Sequence, residues 1–307
     1  MMRVAIFGAR GFLGRHICRF LTSRNIQLIE ADVRPSSDEA AVSGVLSVVF
    51  DVVKATDYSE IVSEVDAIIY LVSTTLPNIS NRAPILDVET NLLPLIRLLE
   101  AVKHTKKRLI FSSSGGTVYG PTSETVISEL HSTNPICSYG IVKLASEKYL
   151  RLYRELYGFK SLSLRIANPY GIGQDLAKPQ GTVGIFTQKI LCAQKLVIWG
   201  DGETVRDYVA ASDVAEAFWR ALDYEGEIFE INIGSAVGTS LNELVRHIAE
   251  KCGHAPIIEY EEARTFDVRR NVLDNNLASK EIGWFPKTSL EAGLSDVVAQ
   301  TRECALR

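Results

Sequence analysis

Tyr139 and Lys143, in the run Tyr139-Gly-Ile-Val-Lys143, are four residues apart and are the side chains of this sequence best suited to proton chemistry. On a helix such a pair shares one face, so a phenol and an ammonium can enter the same site. A free phenol titrates near ~10 and is a weak base at neutral pH. A neighbouring ammonium stabilises the phenolate and draws that value down, towards the range where general acid–base catalysis is efficient. The spacing is common in helices and acquires meaning only beside a second motif.

That motif is Gly8-Ala-Arg-Gly11-Phe12-Leu13-Gly14, which follows the apolar run Val4 to Phe7 and opens a helix carrying Leu13, Ile17, Phe20 and Leu21 on one stripe. Glycines after a strand permit a tight turn and close approach of a pyrophosphate, and the helix N-terminus attracts its charge. The next strand ends at Asp32, where a carboxylate would hold a ribose 2′-hydroxyl and repel a 2′-phosphate. The cofactor expected is therefore NAD rather than NADP, with Arg34, two residues on, tempering the preference.

These groups need a frame. Val4 to Phe7, Gln27 to Ala31, Val45 to Phe50, Ala67 to Val72, Arg108 to Phe111 and Ser161 to Ile166 read as strands, mostly continuous apolar runs of the kind helices cover on both faces. Between them lie helical stripes: Leu92, Leu95, Ile96 and Leu99, and a segment from Tyr139 to Tyr157 with Leu144, Leu152 and Leu156 on its inner side. The alternation predicts an α/β fold, a doubly wound parallel sheet. After Asn168 the texture changes to a loop dense in proline and glycine, then shorter elements: a helix from about Val183, a strand near Val197, a helix opened by Ser212 or Asp213, a strand at Ile228 to Ile233, and two more helices. Residues 1–168 are read as the dinucleotide-binding domain with the Tyr-Lys pair. Residues 169–307 are read as a smaller C-terminal α/β substrate-binding region, some of whose segments return to the first. Asp213 opens a helix in a Ser-Asp-Val-Ala run and is read as a structural cap.

With the glycine spacing GxxGxxG and the Tyr-xxx-Lys pair in one chain, the sequence resembles the extended short-chain dehydrogenase/reductase proteins, the NAD-dependent epimerase/dehydratase family that includes UDP-glucose 4-epimerases. The resemblance runs through Asp51-Val52, Tyr70-Leu-Val-Ser73, Asn91, Ser112-Ser-Ser-Gly-Gly-Thr-Val-Tyr-Gly120, Arg165-Ile-Ala-Asn-Pro-Tyr-Gly171, Trp199-Gly-Asp-Gly-Glu-Thr-Val-Arg206 and Ile282-Gly-Trp-Phe-Pro286. It implies a Rossmann domain with the dinucleotide held by Gly8, Gly11, Phe12, Leu13 and Gly14, and by Asp32 and Arg34. Asp51 and Val52 lie at the adenine, and Leu71, Val72, Ser73 and Asn91 along the middle. Ser112, Ser113 and Ile166 stand near Tyr139 and Lys143, with Lys143 on the nicotinamide ribose. A nucleotide sugar would meet Thr117, Asn168, Gly181 and Thr182, with Arg206 and Arg264 on its diphosphate, where forked cationic donors suit best, and Asp267 on a ribose hydroxyl. The family's third catalytic residue is a Ser or Thr four positions before the tyrosine of Val118-Tyr119, and here that position is Gly115. The hydroxyl must then come from Ser114 or Thr117, with Thr117 slightly preferred.

The activity so implied is an NDP-sugar 4-epimerase, most suited to a UDP-hexose. The alternative is an NAD(P)H-dependent reductase of a dTDP-4-keto-6-deoxy sugar. A third reading, an NAD-retaining sensor without chemistry, sits poorly with both Tyr139 and Lys143 present. Composition narrows other classes. With 33 basic and 37 acidic residues and a net charge of −4, the chain lacks the basic face of a nucleic-acid binder. No apolar run approaches the ~18 residues a bilayer needs, and no leader pattern opens the chain. Five scattered cysteines and five histidines show no metal-ligand spacing, so no metal is expected, and a reducing, cytoplasmic compartment is. A homodimer is expected through the long helices that start near Pro84 and Tyr139.

Overall fold

In order along the chain, the strands are β1 (Arg3–Phe7), β2 (Gln27–Asp32), β3 (Val45–Val49), β4 (Ala67–Tyr70), β5 (Arg108–Ser114), β6 (Lys160–Ile166), β7 (Asn168–Tyr170), β8 (Lys195–Trp199), β9 (Val205–Ala210), β10 (Glu230–Ile233), β11 (Gly238–Ser240), β12 (Ile257–Glu261) and β13 (Arg270–Asn271). The computed structural model describes residues 1–35, 43–174, 181–263 and 268–305. Seven strands form one parallel sheet in the order β10-β6-β5-β4-β1-β2-β3. Successive strand residues point to opposite faces, and the core divides accordingly. Val4, Ile6, Ile69 and Ile110 pack with Ile17, Leu21, Val214 and Phe218 of the helices Phe12–Ser23 and Ala211–Ala221 on one face. Ala5, Phe7, Ile68 and Leu109 pack with Leu95, Leu98, Leu99 and Leu150 on the other. This is the doubly wound fold expected, and each such buried aliphatic side chain contributes roughly 1.5–3 kcal/mol.

The chain lays down β1 to β3 on one side of β1, then crosses to β4 on the other. The order reverses between β1 and β4, and ligands of open α/β sheets bind outside the strand ends at that point. The loops leaving the two strands touch there: a Cβ on Gly8 would lie 3.3 Å from backbone atoms of Leu71 and Val72.

The C-terminal half adds a sheet of β11-β9-β13 with β7 on β9, and the pair β12-β8. A third core of Tyr170, Ile190, Leu244, Ile248, Leu294 and Val297 holds these under the helices Thr182–Leu191, Leu241–Cys252 and Leu290–Ala305. One strand of this half, β10, returns to the far edge of the main sheet beside β6. Arg15 and His16 of the first helix reach the carbonyls of Gly173 and Ile172 at 2.6 and 2.9 Å, tying the two halves together. Among the described residues, no helix is long and apolar enough to cross a membrane.

Two local expectations are corrected. Leu152 and Leu156 are 45% and 62% exposed, so they do not line the inner side of the Ser138–Tyr157 helix. That side instead carries Val142, Lys143, Ser146, Glu147, Leu150 and Tyr153, because a buried ion pair and the site occupy it. Asp213 does not cap its own helix, whose N-cap is Ala210. Its carboxylate accepts from the backbone N–H groups of Lys287 and Thr288 at 3.0 and 2.8 Å, a structural tie to the segment before the last helix.

Candidate active site

At the end of β1 the chain turns through Gly8, whose φ of +84° lies in the left-handed region. Gly11 closes the turn by donating to Gly8 O at 3.0 Å. A Cβ at position 14 would lie 2.3 Å from Gly8 O and 2.5 Å from Ala9 O, so only glycine lets the Phe12–Ser23 helix seat on the loop. Gly11 is the helix N-cap and supplies no side-chain cap, and no acid stands in the first turn. The positive end of the helix, with Phe12 and Leu13 leading it, is thereby left to an external anion. Such a cradle fits a pyrophosphate.

Asp32 closes β2, nearly buried. Its carboxylate accepts from Arg10 N at 2.9 Å, Arg34 N at 3.1 Å and Arg34 Nε at 3.0 Å. Burial pushes this carboxyl up, but the hydrogen bonds from Arg34 and Arg10 outweigh it and hold it below the usual carboxylate range. Arg34 thus turns onto Asp32 rather than away from it. Phe50 N–H donates to Asp32 O at 2.9 Å, which brings Asp51 and Val52 alongside. Asp51 accepts from Val53 N at 3.0 Å, and Val52 is buried in the core below. Leu71, Val72 and Ser73 continue from β4. Asn91, in a wider π-helical turn Val88–Leu92, pins the following residue by accepting from Thr74 N at 2.8 Å.

Tyr139 stands in the first turn of its helix, and that N-terminus is capped from a distant segment. Tyr139 N–H donates to Ser80 Oγ at 3.0 Å and Ser138 N–H to Asn81 Oδ1 at 2.8 Å. The hydroxyls of Ser73 and Ser114 lie on the phenol's side and act on its titration. Burial pushes the phenol up to about 12 against the pull of the two serines, which corrects the expectation that the neighbouring ammonium draws it down: burial outweighs the charge before any ligand is bound. One helical turn on, Lys143 donates to Ser112 O at 2.7 Å and lies 5.7 Å from the Tyr139 ring centre. Burial brings this ammonium down to about 8, opposed by the charges of Asp87 and Glu147.

Gly115 has no room for a hydroxyl. A Cβ there would meet Leu273 Cδ1 at 2.4 Å and Arg165 O at 3.1 Å, with Gly115 N–H donating to Ile166 O at 2.9 Å. Of the two candidates to replace it, the Ser114 hydroxyl acts on the Tyr139 phenol, and Thr117 Oγ1 is buried without a hydrogen-bond partner among the described residues. Ser113, next along, donates to Glu147 Oε1 at 2.5 Å. Glu147 is paired with Arg165 at 2.7 Å, both side chains within a few per cent of full burial, and Arg165 also donates to Tyr119 Oη at 3.0 Å. This network bolts the Tyr-Lys helix to β5 and β6.

On the C-terminal side, Asn168 donates to Asp207 O at 2.9 Å, and Arg206 donates to Val268 O at 2.6 Å. Gly181, at φ +96°, is the N-cap of the helix that Thr182 begins. Arg264 and Asp267 lie outside the described residues. Glu147, Asp87, Ser80 and Asn81 shape the site although no motif singled them out. Only Glu147 carried a signal, being an acid four residues after Lys143 on the same helical face.

Comparison with known proteins agrees with this geometry. The model of the NAD dependent epimerase/dehydratase family matches residues 4–234. A putative UDP-glucose 4-epimerase of Methanocaldococcus jannaschii is 33% identical over 96% of this chain and 97% of its own length. A dTDP-4-dehydro-6-deoxyglucose reductase of Escherichia coli is 32% identical over 97% of each. The crystal structure of a Thermotoga maritima UDP-glucose 4-epimerase with UDP-glucose superposes with a TM-score of 0.92 at 33% identity, covering 99% of this chain and 100% of that one. With the glycine cradle, the Tyr-Lys helix and full-length similarity all in hand, the chain belongs to the NAD-dependent epimerase/dehydratase family of nucleotide-sugar enzymes.

Proposed function

We propose that this protein interconverts the C4 epimers of a UDP-hexose. The observation that carries the reading is the Tyr139–Lys143 pair, 5.7 Å from ring centre to ammonium on one helical face, in the same fold as the glycine cradle. NAD, when bound, would supply the hydride acceptor, and then the hydride donor, for the sugar's C4. Gly8, Gly11, Gly14 and the amides of Phe12 and Leu13 would take its pyrophosphate, Asp32 a ribose diol, and Asp51 and Val52 the adenine side. Tyr139, as phenolate, accepts the proton of the C4 hydroxyl, and Ser114 steadies that oxygen by hydrogen bonding. The Lys143 ammonium stabilises the phenolate and would hold the nicotinamide ribose. Tyr139 hands the proton back once the sugar has turned its other face. Asn168, Thr182 and Arg206 would hold the nucleotide half, with Gly181 at the start of the Thr182–Leu191 helix.

The E. coli relative favours a second reading, reduction of a dTDP-4-keto-6-deoxy sugar, in which Tyr139 delivers a proton once and reduced cofactor is consumed. Purified protein given UDP-glucose without added cofactor is expected to form UDP-galactose. A strict requirement for stoichiometric NADH or NADPH with a 4-keto sugar would replace the first reading with the second. Unchanged turnover in Tyr139→Phe would remove both.

A further inference from the structure

Asp87 is a buried carboxylate that the glycine cradle and the Tyr-Lys pair leave unexplained. It ends the short helix Pro84–Asp87 at its junction with the π-helical turn Val88–Leu92, and its exposure is 0%. Both oxygens accept, as in an ionised carboxylate: Oδ1 from Thr75 Oγ1 at 2.5 Å and Asn91 Nδ2 at 2.9 Å, Oδ2 from Ser138 Oγ at 2.6 Å. Among the described residues these partners are all neutral, whereas a charge this deep is normally matched by a cation.

The three partners lie on three segments that meet at Tyr139. Thr75 accepts through its carbonyl from Ser73 Oγ at 3.3 Å, Ser138 immediately precedes Tyr139, and Asn91 also binds Thr74 N and Thr75 Oγ1. We infer that Asp87 is a positioning residue, which locks the Ser73 loop against the N-terminus of the Tyr139 helix and supplies the counter-charge of Lys143. This rests on the Tyr139–Lys143 acid–base reading.

The groups around Lys143 support it. Glu147, from the same helix, faces Lys143 but is spent on Arg165 at 2.7 Å and on Ser113. Tyr139 lies 5.7 Å away on the same helix, and Asp87 acts on Lys143 from the other segment, which is tied to this helix through Ser138. Asp87 opposes the burial that brings Lys143 down to about 8, so its loss moves Lys143 lower still. The same charge helps hold the Tyr139 phenol up, so its loss lets that group fall as well.

The test is Asp87→Asn, a near-isosteric change in which the Ser138 hydroxyl can turn to accept from the new amide. Lys143 is followed by NMR in substrate-free protein carrying [15N]lysine, its signal identified by loss in Lys143→Arg. The expected result is a lower titration midpoint for Lys143. With it, the alkaline limb of the kcat profile shifts to lower pH, kcat at pH 8 falls roughly tenfold, and KM stays within about threefold. Asp87→Glu should return the midpoint towards its original pH. A folded Asp87→Asn with the Lys143 midpoint unmoved overturns the counter-charge. The double variant Thr75→Val, Ser138→Ala keeps the charge and removes two of the bonds. If its kcat matches the unaltered protein, the lock is overturned whether or not Asp87→Asn folds. A protein that turns over no nucleotide sugar at all defeats the functional reading instead, and the Lys143 titration still decides the role of Asp87.

Discussion

At the scale of single residues, the hydroxyl beside Tyr139 is decided by space. Gly115 is pressed against Leu273, which lies far along the chain, and no spacing rule within the loop could have revealed that contact. The motif showed that a hydroxyl was missing, and the fold shows why position 115 cannot carry one. Ser114→Ala is therefore expected to lower kcat by roughly 10²-fold, with Thr117→Ala much closer to the unaltered protein, as read by steady-state kinetics on UDP-glucose. Lys143 yields a second prediction. Its folded value, about 8, lies below the ordinary lysine value, so below pH 8 the folded chain carries a desolvated ammonium at a cost. Between about pH 8 and 10.5 the unfolded chain binds the extra proton, so this cost fades as pH rises. Lys143→Met should melt higher than the unaltered protein at pH 7, by roughly 1–3 kcal/mol of stability, and the gap should narrow towards pH 10. An equal gap at both pH values would contradict the assignment.

At the scale of elements, the parallel strands and the glycine-led helix were legible because their patterns are local: apolar runs, punctuation and a 3.6-residue stripe. The inner face of the Ser138–Tyr157 helix was not. Its buried side is built around Glu147 and Arg165, and a leucine-counting rule assigns the helix the opposite face. The caps from Ser80 and Asn81 and the buried Asp87 were equally hidden, since each meets its partner across more than fifty residues of chain. The Glu147–Arg165 pair makes this element testable. Glu147→Gln leaves Arg165 buried beside a neutral partner, which should cost about 3–5 kcal/mol in chemical denaturation. Circular dichroism at low denaturant should remain that of the folded protein. A loss below about 1 kcal/mol would mean the pair does not anchor the helix.

At the scale of the whole molecule, the leucines expected inside form an outward face instead. Ile141, Tyr149, Leu152 and Leu156 are exposed along one helix, with Ile85, Leu86 and Leu93 exposed on the neighbouring segment. Exposed apolar side chains grouped on neighbouring elements normally meet a partner, and a second copy of the chain presenting the same face is the expected one. The unaltered protein is therefore expected to run as a dimer in light scattering, and the double variant Ile141→Glu, Leu152→Glu as a monomer. The cofactor crevice, the Tyr-Lys helix and the C-terminal wall all serve one claim: the hydride removed from C4 is held and returned to the same carbon. The most direct test supplies UDP-glucose deuterated at C4 to the purified protein with no added cofactor. The account predicts UDP-galactose with the deuterium still at C4, whereas product with the deuterium washed out, or no product until reduced cofactor is added, would contradict it.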